Sequence, residues 1–258
     1  MRIRDIQSFN RSGQHVRELE KIRNQPKFSP LRRQKSRTMV SREKFPHTLT
    51  CETCGKATGQ RMGGQCVGCY LTSNLPSTVE DEPWVWADSF ELPVHFRKRT
   101  QPDEETIALS RAVLDCRSEV SEDGKSLWLL LENDRYEVPL TAEAIDKLAL
   151  RTGILVGKWL VYRPREEIDS AWLGIARATF NKTLGRGAKV STSEENKAKR
   201  HVICIYTRNY LELEDVKRVR GLLRDMGFTE PLCYKPDIYT YLDIYSGTTK
   251  LSPCRYRE

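Results

Sequence analysis

The chain has 258 residues, 38% hydrophobic and 30% charged, and 43 Lys and Arg set against 35 Asp and Glu leave a formal net charge of +8. That length gives one or two domains with ample mass for a hydrophobic core. The longest apolar run, Leu127-Trp128-Leu129-Leu130-Leu131, is far short of the ~20 residues a membrane helix needs. No apolar stretch follows the basic N-terminus, so neither a membrane protein nor a secreted one is expected, and the cytoplasm is the expected compartment.

The charge is unevenly placed. Residues 1–44 carry thirteen basic side chains and four acidic ones (Asp5, Glu18, Glu20, Glu43), a local net of +9, and the rest of the chain is nearly neutral. Within this arm Pro26 and Pro30 bracket an extended stretch, and Arg32, Arg33, Lys35 and Arg37 form the densest cluster, followed by Arg42 and Lys44. So polar a segment cannot bury enough apolar surface to fold alone. An arm that threads RNA, a nuclear or mitochondrial localisation signal and an inert solvated tail are the competing readings. Arms of the first kind neutralise phosphates and release counterions, whatever the sequence bound.

Residues 45–73 read as a small metal module. Cys51, Cys54, Cys66 and Cys69 follow the pattern C-x2-C-x11-C-x2-C. Two residues between cysteines let both thiolates of a tight turn face one ion, and Gly55 suits the turn that aims backbone N–H groups at the sulfurs. Two such turns complete a tetrahedral zinc site with no position open to water, so a structural zinc is expected rather than a catalytic one. The alternative is a pair of disulfides in an oxidising compartment, against which the missing signal peptide argues. The module either contacts RNA through Lys56 and Arg61, flanked by Arg42 and Lys44, or only staples the arm to the body. Cys116, Cys204, Cys233 and Cys254 show no ligand spacing and are expected to be reduced thiols.

A polar linker over 74–83 leads into a body spanning 79–258. If Trp84-Val85-Trp86 is a strand, both indoles share one face. Exposed, they would form a platform for stacked bases; buried, they are ordinary core. Asp103-Glu104-Glu105 reads as a helix start, where carboxylates favour the dipole. Thr141 caps a helix running to about Arg151, with Ile145, Leu148 and Ala149 inward and Gly153 near its end. Pro164 opens another, in which Ile168, Ala171, Trp172, Ile175, Ala176, Thr179 and Phe180 recur at helical spacing until Gly185 stops it. A further helix has Val216, Val219, Leu223 and Met226 on one face and Gly227 at its end. Strand signals fall at 125–131, 157–162, 188–192, 201–207, 232–234 and 238–245. The order lacks a regular βα alternation, so an α+β fold is expected, with helices packed on one face of a curved, largely antiparallel sheet.

The blocks Gly157-Lys158-Trp159-Leu160, Ala188-Lys189-Val190, His201-Val202-Ile203-Cys204-Ile205-Tyr206-Thr207 and Tyr234-Lys235-Pro236-Asp237-Ile238-Tyr239-Thr240-Tyr241, with Trp172 in the intervening helix, resemble the basophilic-leukaemia-expressed-protein-like family, a eukaryotic group without an assigned function. The resemblance covers about residues 140–256. It implies a fold similar to the mRNA cap-binding initiation factor 4E, a curved sheet backed by helices, and structural roles for Trp159 and Trp172. Trp84, Trp86 and Trp128 match no position of a cap sandwich. A similar protein in eukaryotes with very compact genomes looks like a ribosome-bound dormancy factor, and the resemblance implies that role here.

Catalytic signatures are absent from the sequence. His201 and Cys204, three residues apart on a strand, point to opposite faces and cannot pair. Gly185-Arg186-Gly187 is a lone loop signal, and Asp237 after Pro236 reads as a turn residue. The expected protein is therefore a non-enzymatic monomer of three parts: arm, zinc module and body. It would bind the RNA phosphate backbone, dock on rRNA and ribosomal proteins, and hold the ribosome inactive or protected. The alternative is an mRNA or cap-like RNA binder acting free of the ribosome.

Overall fold

A computed structural model of the chain describes residues 49–58, 61–62, 64–80, 82–88, 103–115, 117–192 and 200–258. Thr48–Glu258 form one compact unit. The arm residues Arg32, Arg33, Lys35, Arg37, Arg42 and Lys44 lie outside the described residues, as does Cys116.

Two short antiparallel ribbons come first, β1 (Leu49–Thr50) with β2 (Ala57–Thr58) and β3 (Arg61–Met62) with β4 (Gln65–Cys66), and β4 runs directly into α1 (Val67–Ser73). After β5 (Trp84–Asp88), α2 (Glu104–Leu114) starts at Asp103, whose carboxylate accepts from the Thr106 N–H at 2.7 Å. A three-stranded antiparallel sheet follows, β6 (Ser118–Val120), β7 (Ser126–Leu130) and β8 (Arg135–Pro139). Next, α3 (Ala142–Thr152) is capped by the Thr141 hydroxyl and stopped at Gly153. Then come β9 (Gly157–Pro164), α4 (Arg165–Phe180), β10 (Gly187–Ser191), β11 (Arg200–Thr207), α5 (Leu213–Asp225), β12 (Cys233–Pro236), α6 (Asp237–Tyr241) and β13 (Tyr256–Arg257).

The main sheet has the order β13-β12-β9-β11-β10-β5 and every neighbouring pair is antiparallel. The α+β class expected from the sequence is the one the structure has. Side chains alternate across a strand, and on one face Val85, Ala87, Trp159, Val161, Ala188, Val190, Ile203 and Ile205 are all at most 5% exposed. Ile168, Trp172, Ile175 and Ala176 of α4 are buried in the same core, and α4 packs across β5, β9, β10 and β11. The Trp159 indole N–H donates to the Val216 carbonyl of α5 at 3.0 Å, which satisfies the polar edge of a fully buried ring. Both Trp159 and Trp172 are thus structural. Leu109, Leu127, Leu129, Ile145 and Leu148 carry the smaller sheet and its two helices into the same core. The Arg220 side chain is also fully buried, and its guanidinium donates to the carbonyls of Phe228, Glu230 and Glu258.

Four details depart from the sequence reading. Residues 238–245 are not a strand; Asp237–Tyr241 is a short helix, and the Leu242 and Ile244 N–H groups turn back to the carbonyls of Ile238 and Tyr239 instead of reaching a neighbouring strand. The strand over Arg135–Pro139 had no apolar run to mark it, because Arg135 and Glu137 face solvent. The helix begun at Pro164 ends at Phe180, before Gly185. A Cβ on Gly185 would lie 2.6 Å from the Tyr206 carbonyl, so this glycine admits β11 rather than ending the helix. Finally, Cys233 and Cys254 form a disulfide, with Cα atoms 5.3 Å apart, instead of being reduced thiols. The antiparallel pairing of β12 with β13 draws the two together. Among the described residues no helix is long and apolar enough to cross a membrane.

Candidate metal centre and polar sheet face

The first cysteine turn is closed by the Gly55 N–H donating to the Cys51 carbonyl and the Cys51 N–H donating to the Lys56 carbonyl, both at 2.9 Å. The β3–β4 ribbon then delivers Cys66 as the cap of α1 and Cys69 into its first turn. Gly64, at φ +82°, sits where any Cβ would run into the Glu52 carboxylate, so the ribbon needs glycine there. As a result the four sulfurs of Cys51, Cys54, Cys66 and Cys69 lie within 4.8 Å of one another. The Cys66 and Cys54 N–H groups draw the Cys51 thiol down to about 6, while hydrogen bonds with Cys54 and Cys66 push the Cys69 thiol up to about 12, so without an ion the four sulfurs share protons. Four thiol ligands on two turns could hold one metal ion.

The helix that carries the second ligand pair is anchored in the body. Leu71 is fully buried in the main core, and the Tyr70 ring meets Phe180 edge-on, with centroids 6.4 Å apart. The Tyr70 hydroxyl donates to the Trp86 carbonyl at 3.3 Å. The segment expected to be a polar linker is pinned as well. Ser77 donates to Asp169 through both its N–H and its hydroxyl, and Arg165 donates to the Ser77 carbonyl.

On the face of the main sheet turned away from α4, two rows of side chains cross the strands. One runs Trp86, Lys189, Cys204, Leu160 and Cys233; the next passes through Tyr206, Lys158 and Lys235. The Lys189 ammonium lies 3.8 Å from the ring centre of Trp84 and 5.1 Å from that of Trp86. Trp86 stacks on Tyr206, centroids 6.2 Å apart and planes 10° from parallel. Lys158 reaches over Tyr206 and bonds the Asp237 carboxylate at 2.6 Å. Lys235 lies 3.3 Å above the centre of the Tyr245 ring.

Residues 79–243 match the family described as basophilic leukemia-expressed protein Bles03. The chain belongs to the Bles03 family. The matched Bles03 region takes in Trp84, Trp86, Lys158, Lys189, Tyr206, Lys235 and Asp237, and the metal module precedes it. Among solved structures, the chain is similar to Ascaris suum eIF4E-3 in complex with an m2,2,7G cap, at 18% identity over 51% of this chain and 68% of that one, with a TM-score of 0.31.

Electrostatics divide the lysines of the Bles03 face. Burial opposes the charge on Lys158, but the Asp237 carboxylate outweighs it and pushes the ammonium up to about 12. Asp237, read from the sequence as a turn residue, is therefore an ion-pair partner at the start of α6. Burial, reinforced by the Lys158 charge, pulls Lys235 down to about 7. Burial also pushes the central Cys204 thiol up, which makes it a poor nucleophile. His201 is on the opposite face, its Nδ1 2.8 Å from the Ser191 carbonyl, so it and Cys204 do not pair.

Of the residues singled out by sequence, the structure brings the four cysteines together and leaves Lys56 exposed beside their first turn. Arg61 is in β3, and its side chain lies outside the described residues. Lys158, Lys189 and Lys235 were missed, although each sits on an otherwise apolar strand and ends up largely buried, where a lysine is costly unless an anion or a ring faces it. The two indoles, left open between platform and core, are half-buried on the face turned away from α4, where Lys189, Cys204 and Lys235 are buried, while Val85 and Ala87 supply the core.

Proposed function

We propose that this Bles03 protein is a non-catalytic, monomeric RNA-binding protein that docks on the ribosome and holds it inactive or protected. The observation that carries the RNA reading is the Lys189 ammonium held over the rings of Trp84 and Trp86, with Tyr206 stacked alongside. Exposed rings accept bases for roughly 1–3 kcal/mol each, and Trp84, Trp86 and Tyr206 each keep part of their surface exposed. The local charge of +9 on residues 1–44 supports a polyanionic partner. The soft tetrahedral donor set of Cys51, Cys54, Cys66 and Cys69 fits zinc in a structural role.

The ribosomal part of this reading is tested by sedimenting cell extract through sucrose at ~50 and ~200 mM salt, where an interface neutralising 6–10 phosphates loses roughly 10³–10⁵ in affinity. Migration with ribosomal particles at low salt, released at high salt, is the expected result. A protein that stays at the top of both gradients overturns ribosome docking. Quenching of its tryptophans by a cap analogue or a short oligonucleotide would then identify a free mRNA or cap-like binder.

A further inference from the structure

We infer that the metal centre is a clamp on the edge of the sheet face that carries Trp84 and Trp86, and acts through Tyr70. The strand β5 ends the main sheet, and the carbonyls on the outer side of an edge strand need partners from elsewhere. Tyr70 supplies one, donating to the Trp86 carbonyl at 3.3 Å. Its position is set from both ends. Cys69, the last metal ligand, directly precedes it, and Asn74 donates to its carbonyl at 2.8 Å as α1 ends.

A helix of seven residues does not hold itself. Its first turn is fixed where Cys66 and Cys69 converge with Cys51 and Cys54 and where Val67 rests against the core, and one turn later Leu71 enters the main core and Tyr70 meets Phe180. The chain of contacts therefore runs from the metal ligands through Tyr70 to β5, and from β5 to the two indoles that flank Lys189. Leu71 holds the helix to the core without metal, so metal loss loosens its first turn, weakens the Tyr70 bond to the Trp86 carbonyl and lets Trp84 and Trp86 drift from Lys189 and Tyr206. The clamp makes Tyr70 a positioning residue for the face. Only its consequence for RNA affinity rests on the proposed function.

The test is hydrogen–deuterium exchange of the full-length protein, with and without a zinc chelator, which needs no RNA. Peptides covering 84–88 should exchange about tenfold faster without metal while those covering 157–164 do not change. No acceleration at 84–88 overturns the clamp. If the chelated protein unfolds throughout, Tyr70→Phe decides, since it keeps all four thiolates. With metal still bound by native mass spectrometry, the variant should exchange about two- to tenfold faster at 84–88, the loss of one hydrogen bond. Unchanged exchange in that variant likewise overturns the clamp. A clamp confirmed by exchange in a protein that binds no RNA would leave this inference standing and the RNA reading refuted.

Discussion

The Lys158 ammonium bonds the Asp237 carboxylate at 2.6 Å, tying the centre of the main sheet to the first residue of α6, with both side chains less than one-fifth exposed. Removing one member of such a pair leaves the other charge buried alone, at a cost of about 3–5 kcal/mol. Lys158→Met should lower stability by about that amount in urea denaturation. Lys158→Met with Asp237→Asn should recover most of it, because no charge is then stranded. Equal losses in the single and double variants would show that the pair contributes nothing beyond its volume.

Lys235 gives the opposite sign. Its folded value of about 7 lies below the ordinary lysine value, so the unfolded chain holds more protons between the two. Its burden on the fold is full below about pH 7 and fades as the pH rises toward ~10. Contact with the Tyr245 ring offsets part of it. Lys235→Met should therefore raise Tm at pH 6 and change it little near pH 10. A gain that does not depend on pH would point to packing instead.

The polar face predicts a split between neighbours on one strand. Trp86→Ala should weaken binding of a labelled oligoribonucleotide by roughly 5- to 150-fold, the loss of one stacked base. Val85→Ala, one residue away on the core side, should lower Tm and leave affinity almost unchanged. Replacing Arg32, Arg33, Lys35 and Arg37 together should flatten the salt dependence of binding, and an unchanged slope would make the arm a localisation signal. Fluorescence anisotropy at several salt concentrations reads both.

The metal centre predicts one zinc per chain by elemental analysis, lost in Cys54→Ser. Exchange should then rise across residues 49–73, while the Trp159 and Trp172 core stays protected. Retention of zinc in that variant would remove Cys54 from the ligand set.

Much of this was legible in the sequence, for physical reasons that differ by element. The cap residues Asp103 and Thr141 and the inward stripe of α4 are local signals, and each stands where periodicity put it. The four cysteines were readable because ligand spacing is itself a geometric constraint. What sequence could not give depends on strands far apart in the chain. The Trp86, Lys189 and Cys204 row exists only once β5, β10 and β11 are in register. The Cys233–Cys254 bond needs the β12–β13 pairing, and α6 replaces a strand because its backbone finds its hydrogen bonds locally, against the β-propensity of Ile and Tyr.

The disulfide also encloses a particular loop. With a sequence separation of 21, it closes the stretch holding α6, Asp237 and Tyr245, a constraint worth roughly 3 kcal/mol by chain-entropy reckoning. That loop walls the Lys158 and Lys235 end of the face, whereas Tyr70 borders the Trp86 end. The disulfide thus restrains one end of the face and the proposed clamp the other. Under the proposed function, the two restraints would bear on different nucleotides of one bound strand.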